Sequence, residues 1–216
     1  MHWRLFKAFE RGEMRLGRIE AFSDGIFAVA ATLLVLDLKI DHLTDAHSVV
    51  ELKAALLAQL PKFFSWLISF LIVCKFWLNH HHILALARHA TYGMVWLNSI
   101  FLMFQSLVPF PTALMGSYPR NPLAVSLFGM AMAFNTLLFI ALHAYILRNL
   151  LKPELAGTLD PLVIRKSFLG VCFYLAGAGA AWFDVRMAFV VYGCMPLFFV
   201  VPAPPRRADR VGQTAP

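Results

Sequence analysis

Arg18-Ile19-Glu20-Ala21-Phe22-Ser23-Asp24-Gly25-Ile26-Phe27-Ala28-Val29-Ala30-Ala31-Thr32-Leu33-Leu34-Val35-Leu36-Asp37 is the stretch on which the fold turns. Its apolar residues recur at helical spacing over a length that crosses a bilayer, with one acid, Asp24, set inside the entry end. A carboxylate within a membrane span is expensive without partners, so Asp24 marks a functional or fold-defining position. On a helix turning about 100° per residue, Val29, Leu33 and Leu36 fall within about 60° of one another, and Phe22 and Ile40 extend the stripe. Asp24 lies roughly 140° away, beside the small residues Ala21, Ala28 and Ala31. Small side chains let helices approach closely in lipid, so the Asp24 face is expected to pack into the protomer's own bundle. The Val29 stripe is then left for lipid, another helix or a shared pore axis.

Composition places the whole chain in a membrane. Sixty per cent of its 216 residues are hydrophobic and only 14% are charged, too little polar surface for a soluble domain of this size. The net charge of +7 would suit nucleic acid, but the basic residues fall in short clusters between apolar runs, which reads as a topology signal instead. Cys74, Cys172 and Cys194 sit in apolar runs without paired spacing, so neither a disulfide framework nor a cysteine zinc site is indicated. The charged opening Met1 to Lys7 has no cleavage-like end, and the first span is expected to act as an uncleaved anchor.

The expected fold is all-α and polytopic. Residues 1–17 alternate basic and apolar side chains and read as an amphipathic cytoplasmic segment on an anionic leaflet. Hydrophobic runs at about 19–40, 54–79, 92–115, 122–147, 162–182 and 185–202 each approach the roughly 20 residues of a span, giving a six-helix transmembrane domain over 18–202. Loops are expected at Asp41 to Asp45, His80 to His89, Gly116 to Pro122 and Arg148 to Asp160, with a tight turn at Phe183-Asp184. Pro109-Phe110-Pro111 should end or kink the third span. Basic residues favour the side holding Arg4, Lys7, Arg11, Arg15, Arg88, Arg148 and Lys152, so both termini are expected in the cytoplasm. The tail 203–216, rich in Pro, Arg and Ala, is expected to be disordered.

Arg18, Phe22, Ser23 and Asp24, in the order Arg-x-x-x-Phe-Ser-Asp, resemble the first-helix signature of the transmembrane protein 175 family, whose best-known animal member is a lysosomal potassium channel. A Trp-x-Asn-His-His segment from Trp77 to His81 and the stretch from Asn98 to Pro109-Phe110 extend the likeness. The resemblance implies a potassium-preferring cation channel that is not an enzyme. It implies a homo-oligomer, a tetramer, with the pore around the first helix, since Phe-Ser-Asp occurs once here whereas animal members carry two six-helix units. Counted from the motif, Val29, Leu33 and Leu36 match the family's bulky pore constriction and Thr32 a threonine linked to potassium preference. A single unit points to a bacterial plasma membrane, with lipids and potassium ions as the partners, no nucleic acid, and no cofactor beyond the permeant ion.

A ring of hydrocarbon side chains excludes ions by staying dry, so opening must widen it until water remains. The carbonyl filter sequence Thr-Val-Gly-Tyr-Gly is absent, which makes selectivity modest and leaves it to Thr32 and to mouth acids such as Asp37 and Asp41. Ser23, Asn98, a histidine such as His80 or His81, or Arg18 are available to hydrogen-bond Asp24 and tie the pore helix to the bundle, with Trp77 on the same side. Gln105 stands one heptad after Asn98, and Asn135 and His143 read as interhelical glue. The alternative from another class is a proton- or metal-coupled secondary transporter using Asp24 and the His80-His81-His82 cluster; a nonconducting scaffold is a third. Consecutive helical residues point about 100° apart, so the three histidines reach one metal only if unwound, and no metal site is assigned. Neither a phosphate loop nor a Gly-x-Ser-x-Gly elbow is present.

Overall fold

The computed structural model describes residues 15–40, 43–155 and 163–200. Among them the regular structure is helical: α1 (Leu16–Leu33) running into a 3-10 turn (Leu34–Asp37), α2 (Val49–Ala58), α3 (Leu60–Ala85), α4 (Tyr92–Ser106), α5 (Pro109–Ser117), α6 (Pro122–Asn149), a 3-10 turn (Pro153–Leu155), α7 (Val163–Ala180) and α8 (Val185–Val200). The expected segment 1–17 lies outside the described residues except at its end, where α1 already begins at Leu16; the tail 203–216 lies wholly outside them.

Among the described residues, four segments are long and apolar enough to cross a membrane: Leu16–Asp37, Leu60–Ala85, Tyr92–Ser117 and Pro122–Asn149. They coincide with the first four expected runs, with two corrections. The second run contains a break at Gln59, after which Pro61 occupies the first turn of α3, where its missing N–H leaves no bond unmade. That helix then continues to Ala85, so His80, His81 and His82 are helical and not part of the expected loop. The third run is interrupted at Leu107 and Val108, as Pro109 and Pro111 require, since neither ring can continue the ladder of α4. The last two runs appear as α7 and α8, 18 and 16 residues long, joined by a turn at Ala181 to Asp184.

Helix α6 is the spine, packing on α4, α5 and α7, with α7 and α8 forming an antiparallel pair beside it. Close approach there rests on two glycines. A Cβ on Gly177 would run into the Tyr192 ring and one on Gly129 into its hydroxyl, so both must stay bare for the buried Tyr192 to donate to the Val125 carbonyl at 3.1 Å. At the opposite end of α6 the chain makes a reciprocal clasp with α3. Arg88 N–H donates to Leu150 O and Lys152 N–H to Leu86 O. The Lys152 ammonium then reaches Ala85 O at 2.8 Å and the Arg88 guanidinium Asn149 O at 3.3 Å. Each helix C-terminus, with its unmet carbonyls and partial negative charge, is thus capped by a cation from the other's loop.

Helix α1 packs against α3 and α4 through one stripe, Ile19, Ser23, Phe27, Ala30 and, beyond the helix proper, Leu34. This differs from the expected packing of the Asp24 face. Asp24 and Ala28 are exposed, and they flank a groove between α1 and α3 instead of filling the core.

Candidate functional site

The Phe-Ser-Asp motif divides among three directions. Phe22 faces outward, Ser23 is fully buried, and Asp24 stands at the groove beside α3. From Ser23 a chain of hydrogen bonds runs through the interior. Its hydroxyl donates to Ile19 O at 2.8 Å and accepts from Asn98 Nδ2 at 3.1 Å. Asn98 Oδ1, which can only accept, lies 2.7 Å from His80 Nε2, so His80 is the donor and carries its proton on that nitrogen. The series joins α1, α3 and α4.

Around this chain the aromatic packing is tight. The His80 ring stacks on Phe101 with centroids 5.7 Å apart and planes 13° apart, and lies 5.4 Å from Phe27. Phe76 and Phe139 extend the cluster, each about one ring away from Phe101. A buried hydrogen bond surrounded by hydrocarbon has no water to compete for it, so these groups fix the rotation of α1 about its own axis.

Asp24 takes a different partner from those anticipated. Its Oδ1 accepts from Trp77 Nε1 at 2.8 Å, while Ser23, Asn98 and His80 bond one another. Arg18 is exposed, as are His81 and His82, and His81 lies 6.5 Å from the Trp77 ring. Among the described residues no three of His, Cys, Asp or Glu come together in a metal-binding group.

With its buried stripe fixed, α1 leaves a bulky apolar stripe exposed. Phe22 is 60% exposed, Val29 56%, Leu33 42% and Leu36 58%. The 3-10 turn brings Leu36 into register: side chains three apart eclipse in that geometry, so Leu36 stands above Leu33 instead of drifting round the helix. Thr32 is also exposed, and its hydroxyl donates to Ala28 O and Val29 O, each at 3.0 Å. Its proton is therefore turned back to the helix, which leaves the oxygen lone pairs without a donor from within α1.

Further polar pairs continue the interior line. Asn98, Gln105 and Thr112 are spaced by sevens and all buried; Asn135 Nδ2 donates to Gln105 Oε1, and Thr112 donates to Ser69 Oγ at 2.8 Å. The spacing of Asn98 and Gln105 was legible in the sequence. Thr112, beyond the Pro109 break, and its partner Ser69 were not, because nothing in a run of residues tells which helix will face it.

Residues 18–109 match the family described as endosomal/lysosomal potassium channel TMEM175. The chain is 31% identical over 201 residues to a protein of Streptomyces collinus named as a potassium channel, with 89% of this chain and 96% of that protein aligned. It is 38% identical over 110 residues to the human endosomal/lysosomal proton channel TMEM175, covering 49% of this chain and 22% of that protein. The crystal structure of a lysosomal potassium-selective channel TMEM175 homolog from Chamaesiphon minutus superposes with a TM-score of 0.72 at 31% identity, over 85% of this chain and 95% of that one.

Proposed function

This chain belongs to the TMEM175 family, and from that membership we propose that it is a potassium-preferring cation channel whose pore is made by several copies, a homotetramer, meeting at α1. In this reading α7 and α8 complete six spans, both termini lie in the cytoplasm of a bacterial cell, and the exposed arc of α1 faces the shared axis and the neighbouring copies. Val29, Leu33 and Leu36 form the constriction. An ion at such a ring must shed water without gaining ligands, so the ring conducts only when wide enough to stay wet. The Thr32 oxygen beside it offers the cation a partial replacement for that water.

The observation that carries the proposal is the separation of roles on α1. One stripe is locked by Ser23, Phe27 and Leu34 into the protomer, while a bulky apolar stripe is left without a partner at the same helix. The motif residues Ser23 and Asp24, with Trp77, His80 and Asn98, then act as positioning residues that hold the constriction and do not touch the ion.

The test is potassium flux from liposomes containing the purified chain. Wild type should release potassium, and Leu33→Ala or Leu36→Ala should raise the flux roughly tenfold, because the barrier at a dry ring falls steeply with radius. No flux from any of several lipid compositions, or unchanged flux in both variants, would refute the gate. Protons form a second permeant worth measuring in the same vesicles, since the human relative is named a proton channel and a wetted pore holds a continuous water column. The proton- or metal-coupled transporter using Asp24 and His80–His82 is less well supported: His80 is spent on Asn98 between two phenylalanine rings, and His81 and His82 are exposed on other sides of α3.

A further inference from the structure

At the end of the bundle opposite the Arg88–Lys152 clasp, a groove runs between α3 and α8. Its floor is apolar, lined by Pro61, Phe64, Ile68 and Phe189, and its rim carries two cations from separate elements, Arg120 in the α5–α6 turn and Arg186 in the first turn of α8. Both arginines are exposed, and among the described residues neither guanidinium is paired with a carboxylate. The nearest acid in sequence, Asp184, accepts from the Arg186 backbone N–H at 2.8 Å. Tyr118 stands exposed in the α5–α6 turn and Trp182, with Phe183, in the turn between α7 and α8; Tyr and Trp are the residue types that sit at the headgroup level of a bilayer.

We infer that this groove is a binding site for a phospholipid of net negative headgroup, one acyl chain lying along Phe64, Ile68 and Phe189 and the phosphate held between Arg120 and Arg186. Charge decides the occupant. A helix of a second copy would need to bring acids to two arginines, whereas an anionic lipid brings its phosphate at the height of the interface and its hydrocarbon below it, matching the order of rim and floor. Guanidinium groups suit phosphate because their donors form a planar fork. The site depends on the chain being in a membrane and not on whether it conducts.

Native mass spectrometry of the full-length assembly, exposed to phosphatidylglycerol or phosphatidylcholine of the same acyl chains, tests it. Wild type should retain phosphatidylglycerol preferentially. Arg120→Ala with Arg186→Ala should lower that retention roughly tenfold or more, as expected for two interfacial cations, and Ile68→Trp, which fills the floor without changing charge, should lower it as well. Val190→Trp, at an exposed position on the groove wall, serves if Ile68→Trp fails to fold. Arg165→Ala, at the other end of the bundle, should change nothing. Equal retention of the two lipids, or arginine variants that bind like wild type, would overturn the site. So would a tryptophan variant that keeps full preference, since that leaves only unspecific charge attraction. A tryptophan variant that alters the subunit count instead of the lipid count would make the groove a contact between copies and end the proposal equally. Soluble glycerol phosphate, added alone, should not bind; binding by it would assign the site to free phosphate esters.

Discussion

Asn98 spends both ends of one amide on other helices, accepting from His80 and donating to Ser23. Replacing it with leucine leaves the His80 N–H unmet among Phe27 and Phe101, and an orphaned buried donor costs about 1–3 kcal/mol. Asn98→Leu should therefore lower the thermal unfolding midpoint in detergent, and adding His80→Phe should restore part of the loss, because removing both partners leaves nothing unsatisfied. Additive losses in the double variant would mean that the pair is not coupled. Thr32 poses a different question at the same scale. Its one hydroxyl proton is shared between two backbone carbonyls of its own helix, both already in the helix ladder, so Thr32→Val should leave stability nearly unchanged. If the oxygen lone pairs assist potassium, that variant should reduce the potassium-to-sodium permeability ratio in reversal-potential measurements; an unchanged ratio would remove Thr32 from selectivity.

Elements meet here at positions where side chains are either absent or exchanged. Gly177→Ala places a methyl against the Tyr192 ring itself, so it should destabilise by about 1–3 kcal/mol, and Tyr192→Phe should not rescue it. Gly129→Ala meets the Tyr192 hydroxyl first and the Tyr174 carbonyl at 2.8 Å next, so there Tyr192→Phe should recover part of the loss. Unfolding midpoints of the four variants check the contrast. The loop before α2 is organised by Glu51, whose carboxylate accepts from the backbone N–H groups of Thr44 at 2.6 Å and Asp45 at 2.9 Å, while Ser48 caps the helix by accepting from Glu51 N–H. Those backbone donors at Asp45 and Thr44 stabilise the carboxylate and hold its pKa below the usual glutamate value. A depressed folded value means that the contact is intact at neutral pH and is lost as pH falls through it. The Thr44 and Asp45 amide shifts should titrate together with a midpoint below that of an ordinary glutamate, and Glu51→Gln should abolish the titration.

For the whole molecule the open question is what covers the free arc of α1. With Cys74, Cys172 and Cys194 replaced, Val29→Cys should cross-link neighbouring copies into disulfide dimers under mild oxidation, the largest product that one thiol per copy can form. Monomer alone, in membranes where the protein is folded, would place Val29 against lipid and remove the axis on which the gate depends. The clasp of Arg88 and Lys152 and the buried pairs at Gln105 and Thr112 tie together the helices behind that arc.

The sequence by itself determined the class, the four helices long enough to span and the break at Pro109, because hydropathy and proline chemistry are local properties of the chain; it marked Asp24 as a residue in need of partners, but not the one that it takes. Tertiary structure alone decided who meets whom. Ser23 and Asp24 are neighbours in sequence, yet about 100° of helical rotation sends one into the core with Asn98 and the other to a groove with Trp77. Which stripe of α1 is buried depends on the facing surfaces of α3 and α4, and such complementarity exists only once the helices are packed.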